Sequence, residues 1–269
     1  MLFRSKAHGF DISQETLDKQ VAHTLKHLAT NRDNYKKGRG QGGQADMAGY
    51  GLFALEVGGA KPDATTAAVA EYLLLRDKDR DAWRSSGNRP PTEGSMYTTA
   101  NVALRGLQKY GTAEQKERVE ERTAKLRKWL LATPAKDTED RVFRLGALKY
   151  AGADDKDVKA AADELLKTQR DDGGWSQTDK LDSDAYATGT ALVMLHDAGG
   201  LAVTDAVYRH GVKYLISAQR EDGSWHVKTR SKPFQIYFES GFPYEKDQWI
   251  SISATSWATA ALALTLPMK

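Results

Sequence analysis

Gln-Arg-Asp-Asp-Gly-Gly-Trp at residues 169–175 returns as Gln-Arg-Glu-Asp-Gly-Ser-Trp at 219–225. Gln169, Gly173 and Trp175 thus recur as Gln219, Gly223 and Trp225 in matching context, the mark of an architecture built from stacked units. A helical pattern precedes each copy and a second one follows it, so the unit is a helical hairpin. Residues 154–169 place Val158, Ala161, Ala162, Leu165 and Leu166 at helical spacing behind Asp154 and Asp155, which suit a first turn. After the glycine-rich turn, 182–198 opens on Asp182, Ser183 and Asp184 and closes on Gly199 and Gly200.

The same alternation runs through the chain and predicts five hairpins: 14–30 with 43–57, 63–76 with 95–110, 113–132 with 138–151, 154–169 with 182–198, and 203–219 with 247–266. The first helix of each pair is amphipathic and charged, as over 114–128, and belongs on the outside. The second is rich in small residues, such as Ala185, Ala187, Thr188, Gly189, Thr190 and Ala191, or Ser251, Ser253, Ala254, Ser256 and Ala258. Small side chains let helices approach toward the low end of the roughly 8–10 Å packing range, as a narrow inner ring requires. The expected fold is therefore all-α, an α/α toroid forming a single domain over 1–269 and clearest over 154–269. One connection breaks the pattern. Between Trp225 and Trp249 lie Pro233, Pro243, Gly241 and the rings of Phe234, Tyr237, Phe238, Phe242 and Tyr244, read as an aromatic-rich loop or β-hairpin, either a lid over one mouth or an insertion packed on the rim.

Lys and Arg total 39 against 36 for Asp and Glu in 269 residues, a net charge of +3 with the signs interspersed. Such a surface excludes an electrostatic nucleic-acid footprint. No segment approaches the roughly 20 apolar residues of a membrane span, and Met1 to Phe10 lacks the apolar run of a signal peptide. Without cysteine there is no disulfide, thiolate nucleophile or sulfur-ligated zinc, and compartment stays open. Gly38-Arg-Gly40-Gln-Gly42-Gly43 fits G-x-G-x-x-G, but it follows a helix and reads as a turn, so no dinucleotide cofactor is expected. Asp154-Asp155-Lys-Asp157 reads as a helix start, and the six histidines form no metal-ligand pattern, so neither a metal nor another cofactor is implied.

The stretches 165–175 and 215–225, together with Asp-Ala-Tyr-Ala-Thr-Gly at 184–189, resemble the Gln-Trp repeats of squalene and oxidosqualene cyclases and, more broadly, the prenyltransferase and squalene cyclase superfamily. The resemblance implies an α/α toroid whose cavity holds an isoprenoid, with the repeat Gln and Trp as structural ties. Relatives that hold a catalytic zinc or a thioester through Cys are excluded by composition. Cyclases of this type protonate an alkene with the middle residue of an Asp-x-Asp-Asp string. Asp182 and Asp184 match its first two acids, and Ala185 stands at the third. The resemblance thus implies Asp184 as proton donor with Asp182 as partner, while the residues alone read as a helix start that Asp182 or Ser183 caps, with Asp184 favouring its positive end. Inner-helix starts supply a lining for an apolar ligand: Asp46, Tyr50, Tyr97, Asp140 with Arg141 and Arg144, Tyr186, Trp249 and Trp257, with Phe238 from the loop. Two functions remain open: an isoprenoid-processing cyclase, or a non-catalytic toroid that binds a hydrophobic small molecule or a protein partner as one module of a longer polypeptide.

Overall fold

The computed structural model describes residues 1–85, 87, 89–232 and 236–268. Its helices are α1 (Leu2–Ala7), α2 (Gln14–Ala29), α3 (Arg32–Tyr35), α4 (Gln44–Val57), α5 (Ala64–Leu75), α6 (Met96–Tyr110), α7 (Lys116–Ala132), α8 (Thr138–Tyr150), α9 (Asp155–Leu166), α10 (Ala185–Asp197), α11 (Ala206–Ala218) and α12 (Gln248–Ala263). The expected hairpins are the pairs α2/α4, α5/α6, α7/α8, α9/α10 and α11/α12. Helices α4, α6, α8, α10 and α12 form the inner ring, each packed on the next, and the other member of each pair backs them from outside.

Glycine sets the inner spacing. A Cβ at Gly49 of α4 would lie 2.6 Å from Val102 Cγ2 of α6, and one at Gly189 of α10 would lie 2.7 Å from the Ala258 backbone nitrogen of α12. Any side chain there would push neighbouring helices apart. The inner helices are parallel, because first-turn residues meet first-turn residues: Thr99 of α6 donates to Asp46 of α4, and Thr98 of α6 donates to Glu139 of α8. One mouth of the ring is therefore made of helix N-termini and the other of C-termini.

The repeated strings make repeated hydrogen bonds. Trp175 Nε1 donates to the Leu165 carbonyl at 3.0 Å and Trp225 Nε1 to that of Leu215 at 2.7 Å, each satisfying a carbonyl near the end of its own outer helix. Gln169 Nε2 donates to Gly173 O and to Val207 O at the start of the next outer helix, both at 2.9 Å. The tie to the neighbouring unit thus comes from Gln, while the Trp serves its own. Gly173 and Gly223 adopt φ of 86° and 81°, left-handed values that only glycine takes without strain. A third Trp does the same work without the surrounding motif: buried Trp83 donates to the Leu73 carbonyl at 2.8 Å behind α5. Asp77, Asp79 and Asp81 with their basic neighbours replace the glycine turn there, which hides the copy from pattern matching.

The long connection into α12 forms no strand among its described residues, so the β-hairpin alternative is not what they adopt; Pro233 and Phe234 lie outside them. Buried Gln248 holds the return limb, accepting from Ser240 N at 2.6 Å and donating to Tyr237 Oη at 2.8 Å. No described helix is long and apolar enough to cross a membrane.

Candidate acidic site at the ring mouth

The N-terminal mouth gathers carboxyl groups, because four of the five inner helices begin with a capping or first-turn acid: Asp46 in α4, Asp137 with Glu139 and Asp140 in α8, Asp184 in α10 and Asp247 in α12, while α6 is capped by Ser95. Asp137 caps α8, accepting from Asp140 N at 3.1 Å. Two residues on, Glu139 points inward and is buried. Its Oε1 accepts from Thr98 Oγ1 at 2.6 Å and its Oε2 from Tyr186 Oη at 2.9 Å. Burial pushes its pKa up to about 8, the two hydroxyl donors pull it down by less, and Asp137 and Asp140 add to the rise. Glu139 is therefore a carboxylic acid that keeps its proton near neutral pH. Beside it is a narrow crevice too tight to admit a water molecule, lined by Pro91, Thr138, Glu139, Gln177, Tyr186, Ala187 and Thr190. A larger groove of about 480 Å³ lies on the outside, between the end of α6 and α7, and includes none of these residues.

The expected site residues divide among several places. Asp46 and Tyr186 lie in this acidic mouth, buried. Tyr50 joins them one turn along α4; its phenol is pushed well above its usual value by desolvation, then by Glu139 and Asp46. Part of its surface stays open. Asp184 is half-buried at the start of α10, where Oδ1 accepts from Ala187 N and Oδ2 from Gln177 Nε2, both at 2.9 Å. Burial raises its pKa as well. Asp182 is exposed on the preceding turn and is not gathered with these groups. Tyr97 turns outward, donating to Thr133 O at 2.8 Å and packing on Trp129, with burial raising its phenol to about 12. Asp140 accepts from Ser95 Oγ at 2.7 Å, while Arg141 and Arg144 pair with Glu164 of α9, away from the crevice. Trp257 of α12, itself partly exposed, reaches Phe143 of α8, edge to face at 6.3 Å. Phe238 and Trp249 stack at 6.3 Å in the open, 66% and 52% exposed, as a surface platform.

Glu139 is the residue that sequence reading passed over, although a signal was present. Asp137-Thr138-Glu139-Asp140 satisfies Asp-x-acid-acid at every acidic position, with Glu in the middle, where Asp182-Ser183-Asp184-Ala185 lacks the third. Gln177 links the two strings electrostatically: it donates to Asp184 and accepts from Arg230 Nε at 2.8 Å, and Arg230 Nη2 lies 3.7 Å from Asp137 Oδ2.

No family model matches the chain. A lanosterol synthase of Aspergillus fumigatus is 33% identical over 110 residues, which is 39% of this chain and 14% of that protein. A squalene–hopene cyclase of Bradyrhizobium diazoefficiens is 37% identical over 112 residues, 37% of this chain and 16% of that protein. The alignments thus span about a sixth or less of the curated relatives' length. Over part of its length, the chain is similar to terpenoid cyclases at the level of the superfamily.

Proposed function

We propose that the N-terminal mouth of this ring takes one end of an apolar, alkene-bearing isoprenoid and that Glu139 protonates it. The observation that carries this reading is a buried carboxylic acid with its pKa raised to about 8, held by two hydroxyl donors at the edge of a narrow crevice. Alkene protonation needs an acid that is neutral at working pH and a conjugate base that gains support as the proton leaves. When the Glu139 O–H proton goes to the alkene carbon, the new carboxylate is left between the Thr98 and Tyr186 hydroxyls, which already point at it. The ring of Tyr50, close enough to Glu139 to feel its charge, is an aromatic face suited to the carbocation. Asp184, with Asp182 on the surface beyond it, is the second candidate acid, and Phe238 with Trp249 offers an apolar approach at the same end of the ring.

The crevice's size favours a second reading. The crevice beside Glu139 admits no water-sized group, whereas pockets that enclose drug-sized ligands run to roughly 300–1,000 Å³. A mouth with no room beside Glu139 for an enclosed ligand suits a module that binds a ligand end or a protein partner without turnover. Incubating the chain with squalene and with polyprenyl diphosphates, then analysing extracts by mass spectrometry, separates the readings. Cyclic product that is lost in Glu139→Gln and kept in Asp184→Asn supports Glu139. The opposite pattern returns the role to Asp184, and ligand binding with no product under any condition supports the module.

A further inference from the structure

We infer that α1 is a detachable clasp that closes the ring across the seam between its first and last hairpins. Consecutive inner helices pack tightly on one another, whereas α12 and α4 do not pack on each other in that way among the described residues. Helix α1 lies at the C-terminal end of this seam and touches both sides. The Phe3 ring sits over Gly58, at the end of α4, where a Cβ would come 3.2 Å from Phe3 Cζ and still closer to Val21 of α2. On the other side α1 packs on α12, and a His8 ring nitrogen lies 2.8 Å from Leu266 O just beyond it. Arg4 pairs with Asp197 at the end of α10 at 2.6 Å.

The hold is modest. A six-residue helix has little stability by itself, and the Arg4–Asp197 side chains are about a third exposed, so that pair contributes little. What anchors α1 is the Phe3 contact and the buried side of the helix at Ser5, which is 5% exposed. A segment held this way belongs to the low end of local opening free energies and comes off before the ring unfolds. Its release would free the seam at the C-terminal mouth while leaving the acidic mouth in place.

The chain has no cysteine, so a single introduced thiol reports directly on α1. Ser5→Cys should be modified by a thiol reagent at least tenfold more slowly than Ser217→Cys, which is exposed, and at least tenfold faster than Ser251→Cys, fully buried on α12. Adding Phe3→Ala should speed modification at position 5 at least tenfold. In Phe3→Ala alone, amide hydrogen exchange should rise in α4 and α12 relative to α6 and α8. Modification of Ser5→Cys at the Ser251→Cys rate, with or without Phe3→Ala, would show that α1 opens only with the whole fold and overturns the proposal. Modification at the Ser217→Cys rate overturns it from the other side, since α1 would not be docked. Unchanged exchange in α4 and α12 of Phe3→Ala would make α1 an attached helix and not a clasp.

Discussion

Helices α8 and α10 both begin with an acidic string, yet the two starts use their acids in opposite ways. At α8, Asp137 takes the capping position, and the next acid, Glu139, is carried round into the ring. At α10, Asp184 takes the capping position itself, and the residues that follow it inward are Ala185 and Tyr186. A cap must stay outside the helix with its carboxyl turned back onto the first turn, so an acid spent on capping is not free to point inward. Shifting the string by two residues therefore changes a helix cap into a buried acid. Tyr186 occupies at α10 the position that Glu139 occupies at α8, two residues after the cap, and the two side chains meet by hydrogen bond.

The largest effect that tests this contrast is the pH dependence of stability. Glu139 has a folded pKa raised from 4.5 to about 8, so the folded state holds an extra proton between those values and stability falls as pH rises through that window. Glu139→Gln should remove that fall, which is on the order of 4 kcal/mol for a shift of this size. Denaturant titrations at pH 4.5, 6.5 and 8.5 measure it; a slope unchanged by Glu139→Gln would break the contrast at its centre. Packing should differ as well, because the inner glycines of the two helices face unlike neighbours. A Cβ at Gly189 of α10 meets the Ala258 backbone, whereas at Gly146 of α8 it meets the Asn101 amide and the flexible Met194 side chain. Gly189→Ala should cost about 1–3 kcal/mol and more than Gly146→Ala, as read by thermal unfolding.

Smaller effects refine the picture. Tyr186→Phe removes a donor that holds the Glu139 pKa down, so the carboxyl should titrate at higher pH, with a stability loss of about 1 kcal/mol. Infrared bands of the protonated carboxyl, assigned by difference from Glu139→Gln, follow the midpoint; a downward move would contradict the hydrogen bond's direction. Asp184→Asn keeps a capping side chain and should cost only a few tenths of a kcal/mol at neutral pH, while Asp184→Ala should cost about 1 kcal/mol. Equal losses for these two variants would mean that Asp184 does more than cap α10.

Legibility differed between fold and site. Hairpin positions could be read to within a few residues because helix periodicity, capping acids and terminal glycines are local signals. The inner and outer assignment was also legible, since small residues such as Gly189 and Ala258 report the spacing they permit. Trp83 escaped because its turn is aspartate-rich, although its indole makes the same bond as Trp175 and Trp225. Residues expected to line one site instead occupy several environments: Asp46, Tyr50 and Tyr186 in the mouth, Tyr97 against the outer helix, Trp257 against Phe143, Phe238 and Trp249 on the surface.

By themselves, the residues along this chain determined helical hairpins, their order and their inner faces, since each of these depends on contacts within a turn or between adjacent segments. Only the tertiary structure decided which acid is neutral. The Glu139 proton depends on desolvation in the assembled mouth, on Thr98 from α6 and Tyr186 from α10, and no local pattern carries the dielectric of a place that exists only once the ring has assembled.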